Sequence, residues 1–189
     1  MKKTIGICFC LTVLFILILV QPGWADTIPS KEYPFPDGSD LPEILNVGYV
    51  LDCGDFSIRL IAQPVITKSM NLIVADQDWK YLVVRVGITN NSEETIGWLA
   101  PESFRLHEVY RNRGYGYYPL DYLMSAKASV GFSQKPYYAA ISPGQTLQTP
   151  LVFSVFPDAD SWIFTFSPRV YGSAPQETIQ FRLPKALVQ

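Results

Sequence analysis

The sequence predicts an all-β protein, an antiparallel β-sandwich of about seven strands, on three observations. Apolar residues recur with period two through most of the chain, short turns rich in Pro, Gly, Asn, Asp and Ser separate the alternating segments, and no window carries a convincing helical stripe. Seven or so short strands joined in this way suit a sandwich better than a barrel or a mixed fold.

The strands follow in chain order. Phe56, Ile58, Leu60 and Ala62 alternate with Ser57, Arg59, Ile61 and Gln63. Leu82, Val84, Val86 and Ile88 share one face of the segment 81–89, opposite Val83, Arg85 and Gly87. Phe104 and Leu106 continue the pattern, as do Leu147, Leu151, Phe153 and Val155, then Trp162, Phe164 and Phe166, and finally Ile179, Phe181 and Leu183. Pro150 marks its strand as an edge or a bulge, because proline has no N–H for a ladder. Between strands, Asn90-Asn91-Ser92 caps backbone groups, and Ser142-Pro143-Gly144 fits a type II turn.

The 189 residues supply one full hydrophobic core with appendages, and 48% apolar with 17% charged residues belongs to a packed chain. Residues 1–25 read as a signal peptide: Lys2 and Lys3, the apolar run from Ile5 to Val20, then small residues ending at Ala25. An uncleaved anchor is the competing reading, but sixteen helical residues reach only ~24 Å of a ~30 Å hydrocarbon core. Cleavage near Ala25 places the protein outside the cell or in its envelope, with no membrane span left. Residues 26–47, with Pro29, Pro34, Pro36 and Pro42, read as an extended spacer, and 48–189 as the sandwich domain. Without Lys2 and Lys3, thirteen basic residues face seventeen acids, a net −4 that lacks the footprint of a nucleic-acid binder.

Several segments together resemble a known family. Tyr81–Ser92 (YLVVRVGITNNS), Phe104-Arg105-Leu106, and Ser142-Pro143-Gly144-Gln145-Thr146 leading into Leu151–Val155 resemble the telokin-like domain of unknown function of bacterial secreted proteins and lipoproteins. That domain is similar to the immunoprotective extracellular protein family. The resemblance spans about 48–184 and implies an immunoglobulin-like sandwich, with no catalytic motif to carry over. The sequence departs from the pattern between Phe104 and Ser142, where a shorter hairpin is the norm.

Chemistry is sparse. His107 is the sole histidine and falls on the strand face opposite Phe104 and Leu106, which predicts an exposed residue. Of three cysteines only Cys53 follows the signal peptide, either as a small buried hydrophobe or as a bridge between two copies. Asp76-Gln77-Asp78 and Asp158-Ala159-Asp160 read as solvated turn acids, and would approach a calcium ligand set only if their loops met. Paired carboxylates for glycoside hydrolysis act by separation in space, which sequence does not report. The chain is therefore expected to be non-catalytic, without metal or cofactor.

Its one conspicuous composition is aromatic. Seven of eleven tyrosines, Tyr110, Tyr115, Tyr117, Tyr118, Tyr122, Tyr137 and Tyr138, lie between 110 and 138, beside Arg111 and Arg113. Tyr and Arg dominate binding hot spots because they bring contact area and a polar handle at little entropic cost. Tyr is equally a good strand residue, so edge-strand packing explains the same residues. As a recognition surface they would engage a protein, a glycan or a cell-envelope component; as an edge they would allow pairing into a homodimer.

Overall fold

The computed structural model describes residues 41–70, 72–110, 113–170 and 177–185, so the signal-peptide segment and the spacer up to residue 40 lie outside the described residues. The strands are β1 (Val50–Cys53), β2 (Phe56–Leu60), β3 (Val65–Thr67), β4 (Ser69–Met70), β5 (Ile73–Val74) and β6 (Lys80–Asn90). After a 3₁₀ turn at Pro101–Ser103 come β7 (Phe104–Tyr110), β8 (Arg113–Pro119), β9 (Thr146–Val155), β10 (Ser161–Phe166) and β11 (Ile179–Pro184), with one helix, α1 (Tyr122–Gly131), between β8 and β9.

The protein is a β-sandwich. One sheet is built on the long β6, which pairs with β2 and β3 along one side and with β9 along the other, while β1 adds to β2. The second sheet runs β11-β10-β7-β8, and β4 with β5 forms a small hairpin. Five and four strands in the two sheets exceed the expected seven because β1 and β3 are short and half-exposed, which leaves little alternation to read.

The alternation sorts residues as expected. Leu82, Val84, Val86 and Ile88 face inward against Phe104, Leu106, Trp162, Phe164 and Phe166 of the opposite sheet in one continuous core. Aromatic rings fill its middle, with Phe104 and Phe166 stacked at 5.5 Å and Phe164 and Phe181 at 4.8 Å between centroids. The turns hold as well. The Asn90 side chain accepts from Ser92 N at 2.9 Å and donates to the Ile141 carbonyl at 2.9 Å, and Gln145 N closes the Ser142 turn at 3.0 Å over Gly144 at φ 70°.

The helix is a correction to the all-strand reading. Its buried residues are Met124, Ser125, Ala128 and Ser129, so half of the inward face is polar and no apolar stripe exists to detect. Asp121 caps it, accepting from Met124 N at 2.9 Å. Met124 and Ala128 pack with Tyr81, Val83 and Val152 in a second, smaller core on the outer face of β6. The serines serve the sheet. At Val152 the backbone of β9 points away from β6: its N–H donates to Ser125 Oγ at 2.9 Å and its carbonyl accepts from Asp121 N at 2.9 Å. The start of α1 thus covers an edge strand, one of the ways sheets avoid open edges. Pro150, two residues earlier, turns its nitrogen to the same outer side, where no ladder bond is lost.

Within the expected spacer, the described part is docked. Leu45 is buried in the main core, Ile44 bridges to Arg182 of β11, and Arg182 N donates to the Glu43 carbonyl at 2.9 Å. The prolines up to Pro42 hide this from the sequence, since one leucine between polar residues carries no period.

Candidate functional site

The segment 110–138 divides into a hairpin and a helix with its following loop. In the hairpin, Tyr110 pairs with Arg113, Glu108 with Tyr115 and Leu106 with Tyr118, with a bulge between Leu106 and Glu108. Arg111 lies outside the described residues, and Arg113 and Tyr115 are placed by their backbone pairing.

Tyr118 is a core residue, at 7% exposure, and its hydroxyl donates to the Glu108 carboxylate. Burial, reinforced by that carboxylate, pushes its pKa upward. Gly116, at φ 62°, lies over the same carboxylate, and a Cβ there would fall 2.9 Å from Glu108 Oε1. Tyr110 is half-buried against the main core, and burial followed by Glu108, Asp158 and Asp160 raises its pKa.

His107 is buried at 3% exposure rather than exposed. Alternation places it on the outer face correctly, but the bulge folds β8 over it. Its Nδ1–H donates to the Gly116 carbonyl at 2.9 Å, and the Tyr117 ring lies 5.6 Å away. Burial lowers its pKa most, the Gly116 carbonyl opposes that, and Arg105 adds to it. Tyr117 is half-exposed and also faces the Arg105 guanidinium at 5.7 Å.

The remaining tyrosines form a separate group. Tyr137 is buried at 3% exposure, packs edge-on against Phe104 at 5.9 Å, and has its hydroxyl pushed up to about 12, by burial first and then by Tyr138, Glu102 and Tyr122. Tyr138 meets it at 5.2 Å and is 44% exposed; Tyr122, at the start of α1, is 65% exposed. Of the nine residues singled out, Tyr118 and Tyr137 support the core, while Tyr122 and Tyr138 reach solvent around Tyr137.

Cys53 lies fully within the fold at the end of β1, with Sγ 2.7 Å from the Glu177 carbonyl. Burial, with Glu177 adding, raises its thiol to about 11. That matches a small buried side chain, and its sulfur is not presented for a bridge between copies.

The two acidic turns do approach each other. Asp78 and Asp158 line one open cleft of about 500 Å³ with Lys68, Gln77, Trp79, Lys80, Phe156 and Pro157. The carbonyls of Asp76, Gln77 and Trp79, which a cation would seek, all accept from the Lys68 ammonium, those of Gln77 and Trp79 at 2.8 and 3.2 Å. Among the described residues no group of three or more His, Cys, Asp and Glu side chains gathers to hold a metal ion. Sequence reading missed the Trp79–Phe156 pair, whose ring centroids are 4.1 Å apart. The register Lys80 to Val155 ends the β6–β9 ladder and sets the next residue of each strand opposite the other.

No protein-family model matches this chain, and no curated protein does. Solved structures do resemble it. A candidate lipoprotein (ycdA) of Bacillus subtilis aligns at 13% identity and a TM-score of 0.51 over 72% of this chain and 38% of that one. An uncharacterized β-sandwich protein of Clostridium difficile aligns at 12% identity and a TM-score of 0.44 over 75% of this chain and 94% of its own. A candidate lipoprotein of Staphylococcus aureus aligns at 16% identity and a TM-score of 0.45 over 74% of this chain and 94% of its own. This chain spans 38% of the ycdA protein, and the likeness between the two is one of fold: the β-sandwich built here from two sheets around the main core.

Proposed function

We propose that this protein is an exported, non-catalytic binding module of the telokin-like, immunoglobulin-like kind, which holds a protein, glycan or other envelope component on the aromatic surface of its 110–138 segment. The observation that carries the reading is the exposure of Tyr122 and Tyr138 around a buried Tyr137 that is itself packed on Phe104. Exposed tyrosines on a rigid footing bind with little ordering cost. The apolar run Ile5 to Val20 and the small residues at Ala25 support export. The ycdA protein that shares the fold is described as a candidate lipoprotein, which is in keeping with an envelope location. The buried, hydrogen-bonded state of His107 supports a non-catalytic role.

The test is photo-crosslinking in cells from position 123, where Leu123 is 53% exposed beside Tyr122, with position 72, fully exposed on the β4–β5 hairpin, as control. Position 123 is expected to give a discrete adduct that the Tyr122→Ser/Tyr138→Ser variant loses while keeping its thermal midpoint. An adduct that survives the double substitution, or equal adducts from both positions, refutes the site.

A further inference from the structure

We infer that the cleft beside Trp79 and Phe156 is a second binding site, independent of the tyrosine surface, and that its ligand is an uncharged polyhydroxylated molecule, a neutral sugar. Its floor is aromatic and built in. Trp79 stands between Phe156, at 4.1 Å and 34° to its plane, and Tyr118, edge-on at 6.1 Å, so the stack is rooted in the core while Phe156 stays 38% exposed at its outer end. The supporting loop is already tied: Lys68 donates to the carbonyls of Asp76, Gln77 and Trp79, and Trp79 N donates to the Asp76 carbonyl at 3.0 Å. With the loop backbone already tied, a ligand arriving there has only rim side chains left to order, which reduces a main cost of binding.

The rim selects the ligand class. Two lysines and two aspartates, Lys68, Lys80, Asp78 and Asp158, line the cleft together with Gln77. An organic cation, which aromatic rings otherwise attract, meets the lysines; an anion meets the aspartates; a purely apolar ligand leaves the rim groups without partners as it excludes water. A neutral sugar suits all of them. Its hydroxyls donate to the carboxylates and accept from the Lys80 ammonium and the Gln77 amide, the three Lys68 N–H groups being held by the loop carbonyls, while its C–H faces lie on the electron-rich face of a ring. An opening of about 500 Å³ lies within the ~300–1,000 Å³ that small ligands occupy.

The experiment is titration calorimetry on the purified full-length protein with four hexasaccharides, read together with the indole N–H resonance of Trp79, assigned through Trp79→Phe. Two are neutral, of β-1,4-linked N-acetylglucosamine and of α-1,4-linked glucose; one is cationic, of glucosamine, and one anionic, of galacturonate. At least one neutral sugar is expected to bind and to move the Trp79 resonance. Phe156→Ala and Asp158→Ala, both at solvent-exposed positions, are each expected to weaken it about tenfold or more. Tyr122→Ser/Tyr138→Ser is expected to leave the titration unchanged, so that failure of either site leaves the other standing. Absence of binding by both neutral sugars, preference for a charged one, or full affinity in Phe156→Ala with wild-type thermal stability overturns the inference.

Discussion

Replacing Ser125 by alanine tests how the helix is fixed to the sheet. The hydroxyl accepts from Val152 N at 2.9 Å and donates to the Asp121 carbonyl at 2.7 Å. Ser125 and Val152 are both at 0% exposure, so water does not replace the lost oxygen. An amide left unsatisfied in such a place costs ~1–3 kcal/mol. The Asp121 carbonyl keeps its bond from Ser125 N at 2.9 Å and contributes little to the loss. Alanine returns about 0.5 kcal/mol through helix propensity, so the net destabilisation is expected at ~0.5–2.5 kcal/mol. Equilibrium urea unfolding measures it as a lower midpoint at unchanged slope. Amide exchange adds a local reading, with the Val152 amide losing protection while those of β6 keep theirs. Ser129→Ala is the control: its hydroxyl only bonds back to the Ser125 carbonyl at 2.9 Å, and its loss is expected to change stability by less than ~1 kcal/mol. A Ser125→Ala protein with the wild-type midpoint and a protected Val152 amide would refute the edge-covering account.

Two further predictions concern the core. Leu45→Ala is expected to cost about 2–3 kcal/mol, the lower part of the range for buried leucine, because Leu45 sits where a peripheral segment meets β11; a change below ~0.5 kcal/mol in urea unfolding would show that residues 41–47 do not support the fold. Stability is expected to fall at both ends of the pH range. Cys53, raised from 9.0 to about 11, and Tyr137, raised from 10.0 to about 12, keep their protons in the native state after the unfolded chain has lost them, so stability declines from about pH 9 upward. His107, lowered from 6.5, resists a proton that the unfolded chain takes up, so stability also declines below about pH 6.5. Urea midpoints across pH check both limbs, with Tyr137→Phe flattening the alkaline one; a midpoint that rises from pH 9 to 11 contradicts the burial of these groups.

What the sequence reveals here is the side on which a residue lies, and what it conceals is what covers that side. The inward faces of β2, β6 and β10 follow directly from alternation, and the turn at Asn90 from residues that bond their own backbone. His107 shows the limit: its outer placement is correct, yet Gly116 and Tyr117 fold over it through a bulge that no pattern announces. The helix is hidden for a related reason. Ser125 and Ser129 look like solvent-facing residues, whereas one of them closes a sheet edge, a partner that exists only after β9 has paired. Asp121, three residues before the amide it caps, is of a type that favours helix starts, but no apolar period follows it to mark a helix.

The tyrosines divide along the same line, which explains why a composition rich in one residue supplies both core and surface. A hairpin on the edge of a sheet offers alternate positions to core and solvent, and Tyr118 takes the inward one with its hydroxyl on Glu108. A helix pressed onto β9 through Met124, Ser125 and Ala128 must turn its opposite face outward, and that face carries Tyr122, Leu123 and Val130. The contacts that close the sheet edge therefore also fix where the exposed aromatics stand. Loosening the helix would forfeit both the stability of β9 and the rigidity that the proposed recognition by Tyr122 requires, so Ser125→Ala is expected to weaken the position-123 crosslink although Ser125 itself touches no solvent.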